Sequence, residues 1–241
     1  MTENGAELKP NAWTRMEEAE TQAAYDFNEG YLNFLSVVKT EREAVDYMAQ
    51  LAAEQGFKKL SDIDTIIPGQ KIFFTDKGKV CALIVIGEEP LANGVNLVAS
   101  HIDCPRLDLK GRPLYEADGQ ALLKTHYYGG IKKYQWVSTP LSLHGVVIKA
   151  DGSTINISYG EKADEPVFII PDLLPHLARK EQYSKNLSDA IDASKMNLVF
   201  SGMMQPETEE KEAIKAYAVK LLNERFGITE ADFLSAELQL V

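Results

Sequence analysis

An apolar run that ends on a cluster of polar residues is the feature that most constrains how this chain folds. The stretch VNLVASHIDCP occupies residues 95–105. Residues 97–99 are consecutive apolar residues, so a strand through them is apolar on both faces, which is typical of a sheet that is covered on both sides. The sequence therefore predicts a strand inside an α/β sheet, with His101 at its carboxyl end.

The chain before this run has the patterns of helices and of a hairpin. Apolar positions with few breakers indicate a long, partly buried helix over residues 13–38. The capping box TERE at 40–43 predicts a second helix, and Gly56 is the residue type expected just after its end. The runs KIFFT and VCALIVIG, on either side of the turn DKGK at 76–79, predict a β-hairpin.

After about residue 110 the pattern becomes that of short strands separated by Gly, Pro and Asp-Gly turns. The strand-like stretches are QALLKTHYYGGIKKYQW, TPLSLHGVVIKADGSTINISYG and EPVFII. A helical pattern returns near 207–227 and ends at Gly227, and AELQLV is a final strand. Because the chain leaves the β pattern again, we predict that the β-rich region is an insertion. The predicted parts are 1–108, the first part of an α/β domain, 109–233, the β-rich insertion, and 234–241, a strand that returns to the first domain.

Composition argues against several kinds of partner. The formal net charge is -11, so a basic surface for nucleic acid or an anionic membrane is not expected. The N-terminal sequence MTENGAELKPNAW lacks the pattern of a secretion signal, and no apolar run approaches the ~20 residues of a membrane span. Cys81 and Cys104 indicate no disulfide framework. We therefore expect a cytoplasmic protein.

His101 and Asp103 have the spacing of a metal site. Side chains two residues apart in an extended segment project to the same side, about 6–7 Å apart. An imidazole can bind a metal through one nitrogen while a carboxylate accepts a hydrogen bond from the other. The alternative is that His101 caps a strand end and Asp103 accepts hydrogen bonds from a turn. One histidine is not enough, because a catalytic zinc takes three protein ligands.

The longer string ASHIDCPRLDLK, with YYGGIKKYQW and TPLSLHGVV, resembles the aspartyl aminopeptidase family of zinc peptidases, in its bacterial branch, over essentially the whole chain. The resemblance implies a phosphorylase/hydrolase-like α/β domain with an inserted β-rich domain that dimerises, within a usually dodecameric homo-oligomer. It implies a peptide substrate and two zinc ions in the complete site. His101 would be a zinc ligand and Asp103 the carboxylate that orients it, whereas Cys104 replaces the usual serine.

The resemblance also assigns a second histidine. VFIIPDLLPHLARK is similar to an Ile-Pro-x-Leu-x-x-His-Leu segment of the family, so His176 would reach a neighbouring subunit's active site and contact the substrate. The alternative is an exposed histidine on a short helix. His126 and His144 lie in strand-like runs and are interpreted as packing or surface residues, and the Gly129-Gly130 pair as a bend.

The remaining catalytic groups of the family follow the strand that SAELQLV represents, and they are not in this sequence. Glu209 and Glu210 are better interpreted as favourable charges at a helix start than as substitutes. We therefore predict the N-terminal half of a zinc aminopeptidase, which alone neither hydrolyses peptides nor binds zinc tightly. A strand that ends a chain without a polar tail favours a longer original sequence. Three alternatives remain: a non-catalytic assembly or dimerisation module, half of a split peptidase, and an unrelated metal-free α/β binding protein.

Overall fold

The computed structural model describes residues 10–204 and 211–241, and these form two compact units. The first unit contains the described residues up to Lys39 together with Glu43–Glu88, and the second contains Thr40–Arg42 and Glu89–Val241. Both units combine helices and sheets, so the predicted α/β class is confirmed. The insertion and its boundaries stay predictions.

The first unit contains the first helix, most of the second helix and the hairpin that the sequence predicts. The carboxylate of Glu43 accepts a hydrogen bond from the Lys39 amide at 2.8 Å, at the start of the second helix. The hairpin turn has Lys77 and Gly78 at φ 50° and 65°, the left-handed values that such tight turns use. The elements are α1 (Glu18–Val37), α2 (Glu41–Glu54), β1 (Lys58–Lys59), β2 (Lys71–Asp76) and β3 (Val80–Val85), with sheet order β1-β2-β3.

The second unit is built on a six-stranded antiparallel sheet, so the predicted β-rich pattern is confirmed. The final strand lies inside this sheet, between two others. The stretch EPVFII forms isolated bridges rather than a full strand. The strands are β4 (Arg106–Ala117), β5 (Gln120–Tyr128), β6 (Leu143–Ile148), β7 (Thr154–Tyr159), β8 (Leu198–Ser201) and β9 (Ala236–Leu240), in the order β7-β6-β9-β4-β5-β8.

A glycine permits the close approach of β6 and β9. Gly145 has φ 134°, and a Cβ at this position would lie 2.0 Å from the carbonyl oxygen of Glu237. No larger side chain fits such a separation, so the contact between these two strands depends on glycine.

The predicted helix near the end of the chain is confirmed as α5 (Ala213–Phe226). One face of α5 packs on the sheet, and Gly227 ends the helix in the left-handed conformation at φ 67°. Its buried residues are Ile214, Ala218 and Leu222.

Two shorter helices, α3 (Pro175–Glu181) and α4 (Leu187–Ala190), complete the second unit. The predicted helix start at 207 and the Glu209-Glu210 pair lie outside the described residues. Within the part of the chain that is described, no helix has the length and hydropathy needed to cross a membrane.

The strand predicted through residues 97–99 is wrong. Residues 94–105 belong to no helix or strand, and Leu97 and Val98 are 82% and 98% exposed. An apolar sequence is not sufficient for a buried strand, because the backbone also needs a neighbouring strand for its hydrogen bonds. In residues 10–204 and 211–241 no strand pairs with this segment, and regular pairing begins at Arg106.

Candidate metal centre

The loop that precedes β4 brings His101 and Asp103 together as the sequence predicts. Nδ1 of His101 lies 3.0 Å from Oδ1 of Asp103 and 3.0 Å from its carbonyl oxygen. The imidazole is 84% exposed, and its Nε2 takes no hydrogen bond within the described part of the chain. A metal-binding histidine commonly has this arrangement, with one ring N–H held by a carboxylate and the other nitrogen available.

Asp103 has a second partner on its other oxygen. The hydroxyl of Tyr128 donates a hydrogen bond to Oδ2 of Asp103 at 2.8 Å. This hydrogen bond is the largest cause that lowers the pKa of Asp103, and it also raises the pKa of Tyr128. Both directions favour an ionised Asp103 beside a neutral Tyr128 near neutral pH.

The β4–β5 ladder fixes where these groups meet. Tyr128 is the last residue of β5 and pairs with Arg106, the first residue of β4. The chain then bends at Gly129, which has φ 76° and lies against Pro105, so the predicted bend is confirmed. The loop therefore enters the sheet directly beside the Tyr128 hydroxyl.

A buried arginine lies against the Tyr128 ring. The guanidinium carbon of Arg106 is 4.2 Å from the ring centroid. Arg106 also donates from Nη1 to Glu41 at 2.6 Å and from Nε to Asp108 at 2.8 Å. The side chains of Arg106 and Glu41 are 8% and 9% exposed. Two carboxylates thus compensate the buried cation, as burial of a charge requires.

The described residues supply one suitable zinc ligand, His101. The free Nε2 of His101 can donate its lone pair to a metal. Asp103 holds the ring in the way that a carboxylate beside a metal-binding histidine commonly does. Among the described residues there is no group of three or more His, Cys, Asp or Glu side chains that could hold a metal ion. Cys104 is free and exposed next to the pair. A complete zinc site therefore requires ligands beyond this group.

His176 is not part of this cluster. It is the second residue of α3 and is exposed, and within the described residues its side chain takes part in no hydrogen bond or ion pair. Leu174 and Leu177 beside it are 60% and 51% exposed. The role of His176 toward a substrate stays a prediction.

The two other histidines are packing or surface residues, as predicted. His126 is exposed on β5, whereas His144 on β6 is 3% exposed. Nε2 of His144 lies 2.8 Å from Oε1 of Glu161, and Ser142 donates to the same oxygen at 2.6 Å.

Comparison with known proteins shows that this chain is similar to zinc metalloproteases. Residues 34–241 match the family model described as aminopeptidase I zinc metalloprotease (M18). The probable M18 family aminopeptidase 1 of Borreliella afzelii is 42% identical over 233 residues, which are 97% of this chain and 51% of that protein.

Solved structures give the same result. The crystal structure of an M18 aminopeptidase from Thermotoga maritima matches with TM-score 0.89 and 40% identity, over 98% of this chain and 51% of that one. A more distant match, the mApe1 dodecamer, has TM-score 0.63 and 18% identity over 89% of this chain and 48% of that one, and indicates the fold alone. The chain spans about half the length of the relatives that it matches.

Proposed function

We propose, since the chain belongs to the aminopeptidase I (M18) family of zinc metalloproteases, that it forms the N-terminal half of a zinc-dependent aminopeptidase. The family resemblance predicted from the sequence is confirmed by the match over residues 34–241. The observation that carries the proposal is the His101 ring, whose Nδ1 is held by Asp103 while Nε2 is free.

His101 would supply one ligand. Asp103 accepts from Nδ1, which keeps the proton on that nitrogen and leaves the lone pair of Nε2 for the metal. When bound, zinc polarises the scissile carbonyl and lowers the pKa of a bound water. We expect two zinc ions in the complete site. Residues other than His101 and Asp103 would supply the further ligands and the general base.

The β-rich region would serve assembly. In this proposal residues 109–233 form a dimerisation domain of a homo-oligomer, and His176 reaches the substrate in a neighbouring subunit. The exposed Leu174 and Leu177 support this, because they flank His176 in the sequence and present apolar surface suited to a protein contact. An imidazole near the scissile carbonyl would stabilise developing negative charge there. A peptide substrate and a cytoplasmic location belong to the same proposal.

A second candidate is a non-catalytic assembly module, or half of a split peptidase. It is favoured by the lack of a three-ligand metal group among the described residues. The assembly module differs from the leading proposal because it predicts no turnover when the missing half is supplied, whereas half of a split peptidase predicts turnover.

The test is a fusion of residues 1–241 to the C-terminal half of the Thermotoga maritima relative, assayed for zinc-dependent release of N-terminal residues from peptides. We expect no turnover by the chain alone and turnover by the fusion. His101→Ala should abolish that turnover, and Asp103→Asn should lower it by about 10–100-fold. His126→Ala is the matched control, because His126 is an exposed histidine outside the cluster. Turnover by the fusion that survives His101→Ala would refute the proposal.

A further inference from the structure

We propose that Tyr128 is a positioning residue for the candidate metal centre. Its hydroxyl holds Asp103 in the orientation in which Asp103 fixes the Nδ1–H form of His101. This inference rests on the proposed function, because its consequence is a His101 ring preset to bind a metal through Nε2.

The direction of each hydrogen bond follows from the groups involved. An ionised Asp103 only accepts, so the Tyr128 hydroxyl must donate to Oδ2 at 2.8 Å. By the same argument, Nδ1 of His101 must donate to Oδ1 at 3.0 Å. The neutral imidazole then carries its lone pair on Nε2, which is the nitrogen without a partner among the described residues.

The loop alone does not fix the carboxylate. Residues 94–105 form no regular secondary structure, and the terminal torsion of an aspartate side chain is soft. The backbone carbonyl of Asp103 also lies 3.0 Å from Nδ1 of His101, but it does not hold the carboxylate, which can turn about this torsion when only one of its oxygens is bound. A second hydrogen bond, from Tyr128 to the other oxygen, removes this freedom.

Tyr128 is itself held by the sheet. Its backbone pairs with Arg106, and its ring lies 4.2 Å from the guanidinium carbon of Arg106. That guanidinium is fixed by Glu41 and Asp108 at 2.6 and 2.8 Å. The buried ion pairs of Arg106 therefore hold the Tyr128 ring. Tyr128 in turn holds the Asp103 carboxylate, which holds the His101 imidazole.

The experiment measures the ring nitrogens of His101 by ¹⁵N NMR in the full chain, without metal. The pH is raised until the ¹⁵N shifts show that the ring is neutral. We expect the wild-type ring to carry its proton on Nδ1. Tyr128→Phe should raise the ratio of the Nε2–H form to the Nδ1–H form about twofold to tenfold, the range for loss of one hydrogen bond.

Two controls separate positioning from packing. Tyr127→Phe makes the same chemical change on the next residue of β5, whose side chain points to the other face of the sheet, and should leave the ratio unchanged. In an Asp103→Asn background, Tyr128→Phe should have no further effect, because the proposed action passes through the carboxylate. The backbone amide spectrum of each variant shows that the fold is retained.

A His101 ratio that is the same in Tyr128→Phe and wild type would overturn the inference. So would an equal effect of Tyr128→Phe with Asp103 and with asparagine at position 103. Neither result touches the peptidase proposal, because no metal or substrate is present. Conversely, an inactive fusion would leave the measured tautomer as it is.

Discussion

The two units of this chain differ in how completely they bury their apolar side chains. In the second unit Leu107, Val147 and Ala218 are each 0% exposed within one continuous core. In the first unit no residue of helix α1 is fully buried, although Phe34 and a few others are partly buried as the sequence predicts, and Phe27 and Val85 are 78% and 62% exposed.

The β-rich unit is stabilised mainly by contacts among its own residues, and the first unit is stabilised less in this way. Burial contributes about 25 cal/mol per Å² of apolar surface, so the β-rich unit gains this stabilisation from its own residues. A large exposed apolar surface on the first unit is typical of a surface that contacts further protein. This agrees with a chain that spans about half the length of its relatives.

The largest effect is expected at the buried charge of the second unit. Arg106→Ala leaves Glu41 without its ion-pair partner at a 9% exposed position and should lower the free energy of unfolding by about 3–5 kcal/mol. Urea unfolding followed by Trp136 fluorescence in a Trp13→Phe background reports on this unit, because the chain has 2 tryptophans. Arg112→Ala, at an exposed arginine of the same strand, should change the midpoint little. Equal midpoints for both variants would contradict the description of Arg106.

A leucine pair tests the difference in burial directly. Leu123 is 1% exposed in the second unit, whereas Leu83 is 52% exposed in the first. Leu123→Ala should cost about 2–5 kcal/mol of unfolding free energy. Leu83→Ala should stay within about 0.5 kcal/mol. Comparable losses, measured by urea unfolding of both units, would show that the first unit is better packed than described.

The smallest expected effect is the loss of stability at low pH through protonation of Asp232. Asp232 accepts from the amide and hydroxyl of Thr229 at 2.7 and 2.8 Å and from Lys149 at 3.0 Å. These hydrogen bonds lower the pKa of Asp232, and the Thr229 amide is the largest cause. The folded-state pKa lies below the unfolded one, so this stabilisation is complete above the ordinary value of about 3.9 and is lost as pH falls through the folded-state pKa.

The measurement is the urea midpoint against pH, for wild type and Asp232→Asn. The difference between the two curves should shrink as the pH falls below about 4. Asp164→Asn, at an exposed aspartate, is the control and should follow wild type. Curves that stay parallel for Asp232→Asn would mean that this carboxylate has the same pKa in both states.

The elements that the sequence predicts correctly carry local signals. A capping box, a tight turn and a terminal glycine are each read within a few residues, and α2, the hairpin and α5 follow from them. Strand β4 was not predicted, because its alternation is broken by the irregularity between Leu109 and Leu114. The strand through 97–99 was wrongly predicted, because apolarity does not supply a pairing partner.

In the candidate site, too, the sequence predicts the local contact but not the long-range ones. The contact of His101 with Asp103 follows from their spacing of two residues, and the structure has it at 3.0 Å. Tyr128 and Arg106 were missed, because they reach the site only through the long-range pairing of β4 with β5. Tyr128 and Arg106 lie in the strings YYGG and CPRLD, but no short-range sequence pattern shows that these two strings meet.

The zinc affinity of the fusion shows whether His101 is a metal ligand that the missing half completes. Zinc is measured by competition with a chelating indicator for the chain alone, for the fusion to the Thermotoga maritima half, and for that fusion with His101→Ala. A metal-binding role for His101 predicts tight binding by the unaltered fusion only, with a loss of at least about 10-fold on His101→Ala. Equally tight binding by the chain alone, or by the His101→Ala fusion, would contradict it.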